Sequence, residues 1–271
     1  MKNLIRYLSV PLLLIGGCKV PEASILPPQT TTDIVIDVEP IQEYNPLDRW
    51  FIPTTENHDP YPSVCSLHRE DGSTIGSAIL IEPNVALTAA HCLDGGDVFL
   101  IIIGEEYIMV KDTILHPDYS PTFGSVSDDI GLVFLECNSM YEPAEIGCIE
   151  WIRRYTNITT VGYSHSYKKY SKRGLFQYFG RLIEEPNEMK FIPQEASVFF
   201  GDSGGGVFVT YRGKKYLIGV ISTFTIMRGF ENREYISECS AVVASDYIDW
   251  IEGSILNAEM EQLEETITNG R

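Results

Sequence analysis

Basic residues are scarce in this chain. Lys and Arg number 20 against 38 Asp and Glu in 271 residues, a formal net charge of −18. Phosphate backbones are gripped by a basic stripe, so no nucleic-acid partner is expected. The one short basic run, Lys168, Lys169, Lys172 and Arg173, reads as a solvated loop. No Cys/His spacing fits zinc and no glycine loop fits a phosphate, so neither a metal nor a cofactor is expected. Internal repeats are absent. Beyond the first 18 residues no apolar run approaches membrane-spanning length, so no later helix is expected to cross a bilayer. Cysteine is limited to six, and without Cys18 the remaining five are an odd number that cannot all pair within one chain.

What is present begins with an export signal. Lys2 and Arg6 stand before an apolar run over residues 7–15, followed by Gly16-Gly17-Cys18. This is the layout of a signal peptide over residues 1–18. Ile15-Gly16-Gly17-Cys18 also resembles a bacterial lipobox, in which the cysteine is acylated and becomes the new N-terminus. Lipid on Cys18 would tie the chain to a membrane. The expected location is therefore outside the cytoplasm, as a cell-surface or periplasmic bacterial lipoprotein in preference to a freely secreted protein. Residues 19–60, rich in Pro, Thr and acidic side chains, read as a tether or pro-segment.

From residue 61 the texture changes. Short apolar runs recur between Gly, Pro and Asp turns at 77–81, 98–103, 107–110, 130–135, 159–163, 206–211 and 216–221. Fifteen Tyr, 12 Phe, 22 Gly and 15 Pro agree with β-structure and many turns. Regular short strands favour an all-β barrel or sandwich over alternating βα units. Only the end reads as helical, over about residues 245–268. Ser245 can cap it, Asp246 sits in the first turn, and Ile248, Ile251, Ile255 and Leu256 form an apolar stripe.

Three stretches carry chemistry: Leu87-Thr88-Ala89-Ala90-His91-Cys92, Asp128-Asp129-Ile130-Gly131-Leu132, and Gly201-Asp202-Ser203-Gly204-Gly205-Gly206. A lone histidine or glycine turn means little. In the order His, Asp, Ser, the three supply a base, its orienter and a nucleophile for acyl transfer. His58, His68, His116 and His165 have no such companions and read as surface or turn histidines.

The three stretches resemble the signature blocks of the trypsin-like, chymotrypsin-fold serine peptidases, and the likeness runs from about Val64 to Trp250. It implies an all-β fold of two antiparallel six-stranded barrels, about 61–155 and 156–244, with the active site between them and a C-terminal helix. It implies an endopeptidase acting on polypeptides, with His91 as base, Asp129 as its orienter and Ser203 as nucleophile. Asp129 is selected over Asp128 because the family places an apolar pair, here Ile130 and Leu132, directly after the acid. The N–H groups of Gly201 and Ser203 would form the oxyanion hole. Ser222 matches a serine that supports the acid. The alternative is a catalytically silent relative kept as a binding or regulatory module.

The chain also departs from the family. It lacks the Ile-Val-Gly-Gly start whose freed amine pairs with the acid before the nucleophile, here Asp202; Arg49-Trp50-Phe51-Ile52 is a poor substitute. The cysteine after the catalytic histidine has its usual partner about 16 residues earlier, where this chain carries Gly76, so Cys65 is expected to bridge to Cys92, with Cys137 and Cys148 as a second pair and Cys239 left over. The resemblance implies that Ser197, six residues before Ser203, stands at the position that forms the base of the primary pocket in the family, and that Phe224 stands where members with deep pockets carry glycine. Cleavage after uncharged, small or medium apolar residues is expected, because a cationic side chain would lose its charged partner there.

Overall fold

A computed structural model describes residues 59–121, 128–148, 152, 156–163, 170–177, 188–193, 198–228 and 234–269. The signal, Cys18, nearly all of the 19–60 segment, His58, Lys168, Lys169, His165 and Ser197 lie outside these.

The first barrel is built from β1 (Val64–His68), β2 (Thr74–Glu82), β3 (Val85–Thr88), β4 (Leu100–Ile103), β5 (Glu106–Leu115) and β6 (Gly131–Leu135). Its strands close antiparallel in the order β1-β2-β3-β6-β5-β4. Branched side chains suit the pleated strand, and here they supply the core: Ile79, Leu80, Leu87, Ile101, Ile103 and Leu132 are all fully buried. One turn of helix, α1 (Ala90–Leu93), follows β3.

The second barrel contains β7 (Asn157–Gly162), β8 (Tyr170–Gln177), β9 (Glu188–Pro193), β10 (Gly206–Tyr211), β11 (Lys214–Arg228) and β12 (Glu234–Val243). It closes as β10-β11-β12-β9-β8-β7 around Ile158, Phe191, Val207, Ile218 and Ile221. Tyr211 pairs with Lys214, leaving Arg212 and Gly213 as a two-residue hairpin loop. Both have positive φ, at 52° and 81°, which matches the twist of the strands they join. Lys172 and Arg173 belong to β8, opposite Thr160 and Thr159, and not to a loop.

Several expectations change. A 3-10 turn, Ala244–Tyr247, precedes the C-terminal helix α2 (Ile248–Asn269), so Ser245 lies inside that turn and caps nothing. On α2, Ile251 is buried and Ile255 packs on the core, but Leu256 is 58 % exposed. It falls instead on a second stripe with Met260, Leu263 and Ile267, at helical spacings of four, three and four. His68 is buried at 1 % exposure, bonded at 2.8 Å to Ser66 Oγ. Burial depresses its pKa, with the Gly72 carbonyl partly offsetting it.

The expected disulfides are absent: Cys65, Cys92, Cys137, Cys148 and Cys239 all carry thiols. Cys65 faces Ala78 across the β1–β2 pair, whereas Cys92 Sγ points at Gly76, where an added β-carbon would lie 2.8 Å away. Cys137 is exposed just beyond β6, while Cys148 is buried beside Gly147, whose amide is bonded to Leu217 of β11.

Candidate active site

α1 presents His91 and the segment entering β6 presents Asp129, which is 3 % exposed. Asp129 holds His91 at two points. Its Oδ1 accepts the His91 backbone N–H at 2.9 Å, and its Oδ2 lies 2.8 Å from His91 Nδ1. A carboxylate accepts only, so Nδ1 carries the proton toward Asp129 and Nε2 is left as the basic nitrogen. Ser222 Oγ donates a short hydrogen bond to the same Oδ2.

The way Ser222 arrives is local. In the β11–β12 ladder Ile221 pairs with Ala241 and Thr223 with Ser240, so Ser222 is the extra residue of a bulge. A bulge re-aims one side chain out of the strand's alternation, and here it turns a serine from the second barrel onto an acid of the first.

Burial is the largest influence on both His91 and Asp129 and opposes charge, but their partners together outweigh it. Hydrogen bonding and charge from Asp129 and from Cys92 raise the His91 pKa above its ordinary 6.5. The His91 ring, the Ser222 hydroxyl and the His91 amide hold the Asp129 carboxyl below 3.8.

The adjacent acid does something else. Asp128 has φ 58°, an uncommon backbone state for a residue with a β-carbon. That twist sends its carboxylate the other way, where it accepts the Tyr247 hydroxyl at 2.9 Å and lies 3.7 Å from His116 Nδ1. His116, expected at the surface or in a turn, opens a turn closed by the Tyr119 N–H at 3.0 Å, but its side chain is only 11 % exposed and stands edge-on to Tyr247 and Trp250.

Ser203 enters from the second barrel on a turn closed by Asp202 N–H to Phe199 O (2.9 Å) and Gly205 N–H to Asp202 O (2.8 Å). Gly201 and Gly204 have φ of 91° and 80°, so a side chain at either would strain the turn. Gly204 could carry none for a second reason: its β-carbon would sit 2.1 Å from both Ser77 O and Thr88 Oγ1. Asp202 is buried at 1 % exposure, and its Oδ2 accepts the Phe199 N–H at 2.8 Å. Ser203 Oγ donates to the Ser222 carbonyl at 3.4 Å. Among the described residues the N–H groups of Gly201 and Ser203 donate to no protein acceptor. Two such donors on one turn can receive an anionic oxygen.

Phe224, on β11, is half-buried, and it is not alone. Its ring stacks on Phe199 at 6.0 Å and 13°, and Phe200 meets both rings edge-on at 5.0 and 5.3 Å. Phe199 and Phe200 are adjacent to the glycine turn, and that proximity in sequence was a usable signal for the cluster. Ser77, by contrast, carries no motif that marks it, and Asp128, although it lies in the second signature stretch, has nothing beside it in sequence that points to Tyr247.

Comparison with known protein families matches residues 52–251 to the family described as Trypsin. The matched span exceeds half of the chain and contains both barrels and all three signature stretches. Peptidases of this kind act on polypeptides. The chain belongs to the trypsin family, the trypsin-like serine peptidases of chymotrypsin fold.

Proposed function

We propose that this chain is an exported endopeptidase that cleaves polypeptides through Ser203, His91 and Asp129. Ser203 Oγ adds to the scissile carbonyl while its proton passes to His91 Nε2. The oxyanion rests on the N–H groups of Gly201 and Ser203. His91 then gives the proton to the leaving amine as the C–N bond breaks, and an acyl-enzyme remains. Water adds to the acyl carbon, its proton goes to His91, and the acid leaves as the proton returns to Ser203. Asp129 keeps the ring in one tautomer and stabilises its transient charge.

The observation that carries this reading is the two-point hold of Asp129 on His91, at 2.8 and 2.9 Å. A fluorophosphonate probe tests it: wild type is labelled at Ser203, and Ser203→Ala is not. Peptide hydrolysis falls by about 10⁶-fold in Ser203→Ala and in His91→Ala. Comparable turnover in the wild type and Ser203→Ala would reject the mechanism.

Specificity belongs to the same proposal. Phe199, Phe200 and Phe224 pack against one another beside the nucleophile turn, and Ser197 carries no charge to attract a cation. Both favour small, uncharged residues before the scissile bond. For location, the lipobox-like end of the signal supports acylation of Cys18 and a bacterial cell-surface or periplasmic site. Mass spectrometry of the mature N-terminus decides it: a diacylated or triacylated Cys18 is expected, and an unmodified N-terminus downstream of Cys18 would remove the claim.

A further inference from the structure

Gly201 is the weakest point of the proposed oxyanion turn. It has no β-carbon and φ 91°, so both of its flanking peptide planes can rotate at little steric cost. The turn's own hydrogen bonds run from Asp202 N to Phe199 O and from Gly205 N to Asp202 O, and Gly204 N donates to Ile221 O of β11. The Gly201 carbonyl is held from elsewhere. Ser77 Oγ, on β2 of the first barrel, donates to it at 2.8 Å.

Ser77 is completely buried and every polar atom it has is engaged. Its hydroxyl oxygen accepts the Tyr163 N–H at 2.8 Å, directly after β7. The hydroxyl hydrogen therefore turns toward Gly201, and each bond polarises the other. Its own N–H donates to the Ser203 carbonyl at 2.8 Å, and its carbonyl accepts Thr88 Oγ1 at 2.7 Å. One residue of the first barrel thus grips the turn on both sides of Asp202, at the carbonyls of Gly201 and Ser203.

We infer that Ser77 is a positioning residue for catalysis: together with the Asp202 N–H bond to Phe199 O, its hydroxyl pins the Gly201–Asp202 peptide, and its own N–H pins the Ser203 carbonyl, so that the turn holds the Gly201 and Ser203 N–H groups aimed at the developing oxyanion. This rests on the peptidase reading above. Alignment errors of about 1 Å at such a donor cost up to about 100-fold in rate, so the bond has leverage out of proportion to its strength.

The test pairs Ser77→Ala with Thr88→Val. Ser77→Ala removes two buried hydrogen bonds, to the Gly201 carbonyl and from the Tyr163 N–H, and Thr88→Val removes one, to the Ser77 carbonyl; only the first releases the Gly201 carbonyl. With a fluorogenic peptide, Ser77→Ala lowers kcat by about 10- to 100-fold with KM little changed, and weakens a peptide boronate, which mimics the tetrahedral state, by a similar factor. Thr88→Val also loses thermal stability, less than Ser77→Ala, and keeps kcat and boronate affinity. Ser77→Cys, with a weaker donor at the same branch point, falls between, and serves if the alanine variant does not fold. End-point fluorophosphonate labelling separates the two claims. Complete labelling of Ser77→Ala with wild-type kcat, equal losses of kcat in both variants, or a change confined to KM would overturn the role of Ser77 alone. No labelling of wild type at Ser203 would overturn the peptidase reading and this inference with it.

Discussion

Replacing Gly76 by cysteine should supply the bridge that this chain's own cysteines do not form. A β-carbon on Gly76 would lie 3.7 Å from Cys92 Cβ and 2.8 Å from Cys92 Sγ. Disulfides hold their β-carbons about 3.8 Å apart, so the two residues could join with almost no rearrangement. Closing a loop of about 16 residues restricts the unfolded chain, which stabilises the fold by about 3 kcal/mol in the chain-entropy account. Against this, the same β-carbon would meet the Ser203 carbonyl oxygen at 2.9 Å, and that oxygen already accepts the Ser77 N–H. The contact is with backbone, so part of the nucleophile turn must shift. That cost is present whether or not the bridge closes. Comparing oxidised and reduced Gly76→Cys therefore isolates the bridge. For a domain of this size about 1 kcal/mol moves Tm by about 2–4 °C, so the oxidised variant should melt about 6–12 °C above the reduced one. Calorimetry with and without reductant measures it, with wild type showing no such difference. Equal Tm values, or thiols at 76 and 92 that remain titratable after oxidation, would refute the geometry.

Other consequences follow from the site. Because neutral His91 is the proposed base and Asp129 raises its pKa, kcat/KM should fall on the acid side with an apparent pKa above 6.5. In Asp129→Asn that charge is gone while burial and the Cys92 influence remain, so that limb should move down in pH as kcat drops about 10⁴-fold; a limb that stays in place would contradict the assigned pairing. Gly204→Ala should destabilise by about 3 kcal/mol or more, combining left-handed backbone strain with a β-carbon 2.1 Å from two oxygens, and a wild-type melting curve would disprove it. Phe224→Gly removes the ring stacked on Phe199 and should raise cleavage after large aromatic residues about 10-fold relative to alanine in a peptide panel. An unchanged ranking would remove Phe224 from the specificity argument.

How much of this was legible in the sequence depended on whether the cause was local. The apolar run at 216–221 becomes the heart of β11, because branched residues between turn signals need no distant partner to be recognised. Strand β3 has four residues, too few to show a period, and β8 contains Lys172 and Arg173, so it reads as a polar loop. Its strand character comes from pairing with β7 on one side and β9 on the other, contacts between segments far apart in sequence. The cysteines failed for the same reason. Counting back about 16 residues from Cys92 reaches Gly76, and Cys65 enters only as the available substitute; the register pairs Cys65 with Ala78 and leaves Gly76 against the Cys92 sulfur. The motif residues His91, Asp129 and Ser203 were readable because their neighbours in sequence mark them. Ser77, set in the apolar stretch Thr74–Glu82, looks like filler until the second barrel is present.

That dependence has a pattern. The groups of the first barrel, His91 and Asp129, are steadied by Ser222, which the second barrel projects from a bulge in β11. The groups of the second barrel, Gly201 and Ser203, are steadied by Ser77, which the first barrel projects from β2. Each barrel thus supplies the other's orienting hydroxyl, and both hydroxyls are buried where water cannot replace them. Apolar packing already joins the barrels, since Val161, Phe208, Leu217, Val220 and Val242 of the second share a core with the first, but such packing has no direction. Reciprocal bonds across the seam supply direction at the imidazole ring and the proposed oxyanion donors. It also explains why the adjacent acids diverge. Only one carboxylate can occupy the seam beside Ser222, and the left-handed turn at Asp128 sends the second outward to Tyr247, tying the base of α2 to the segment that carries Asp129.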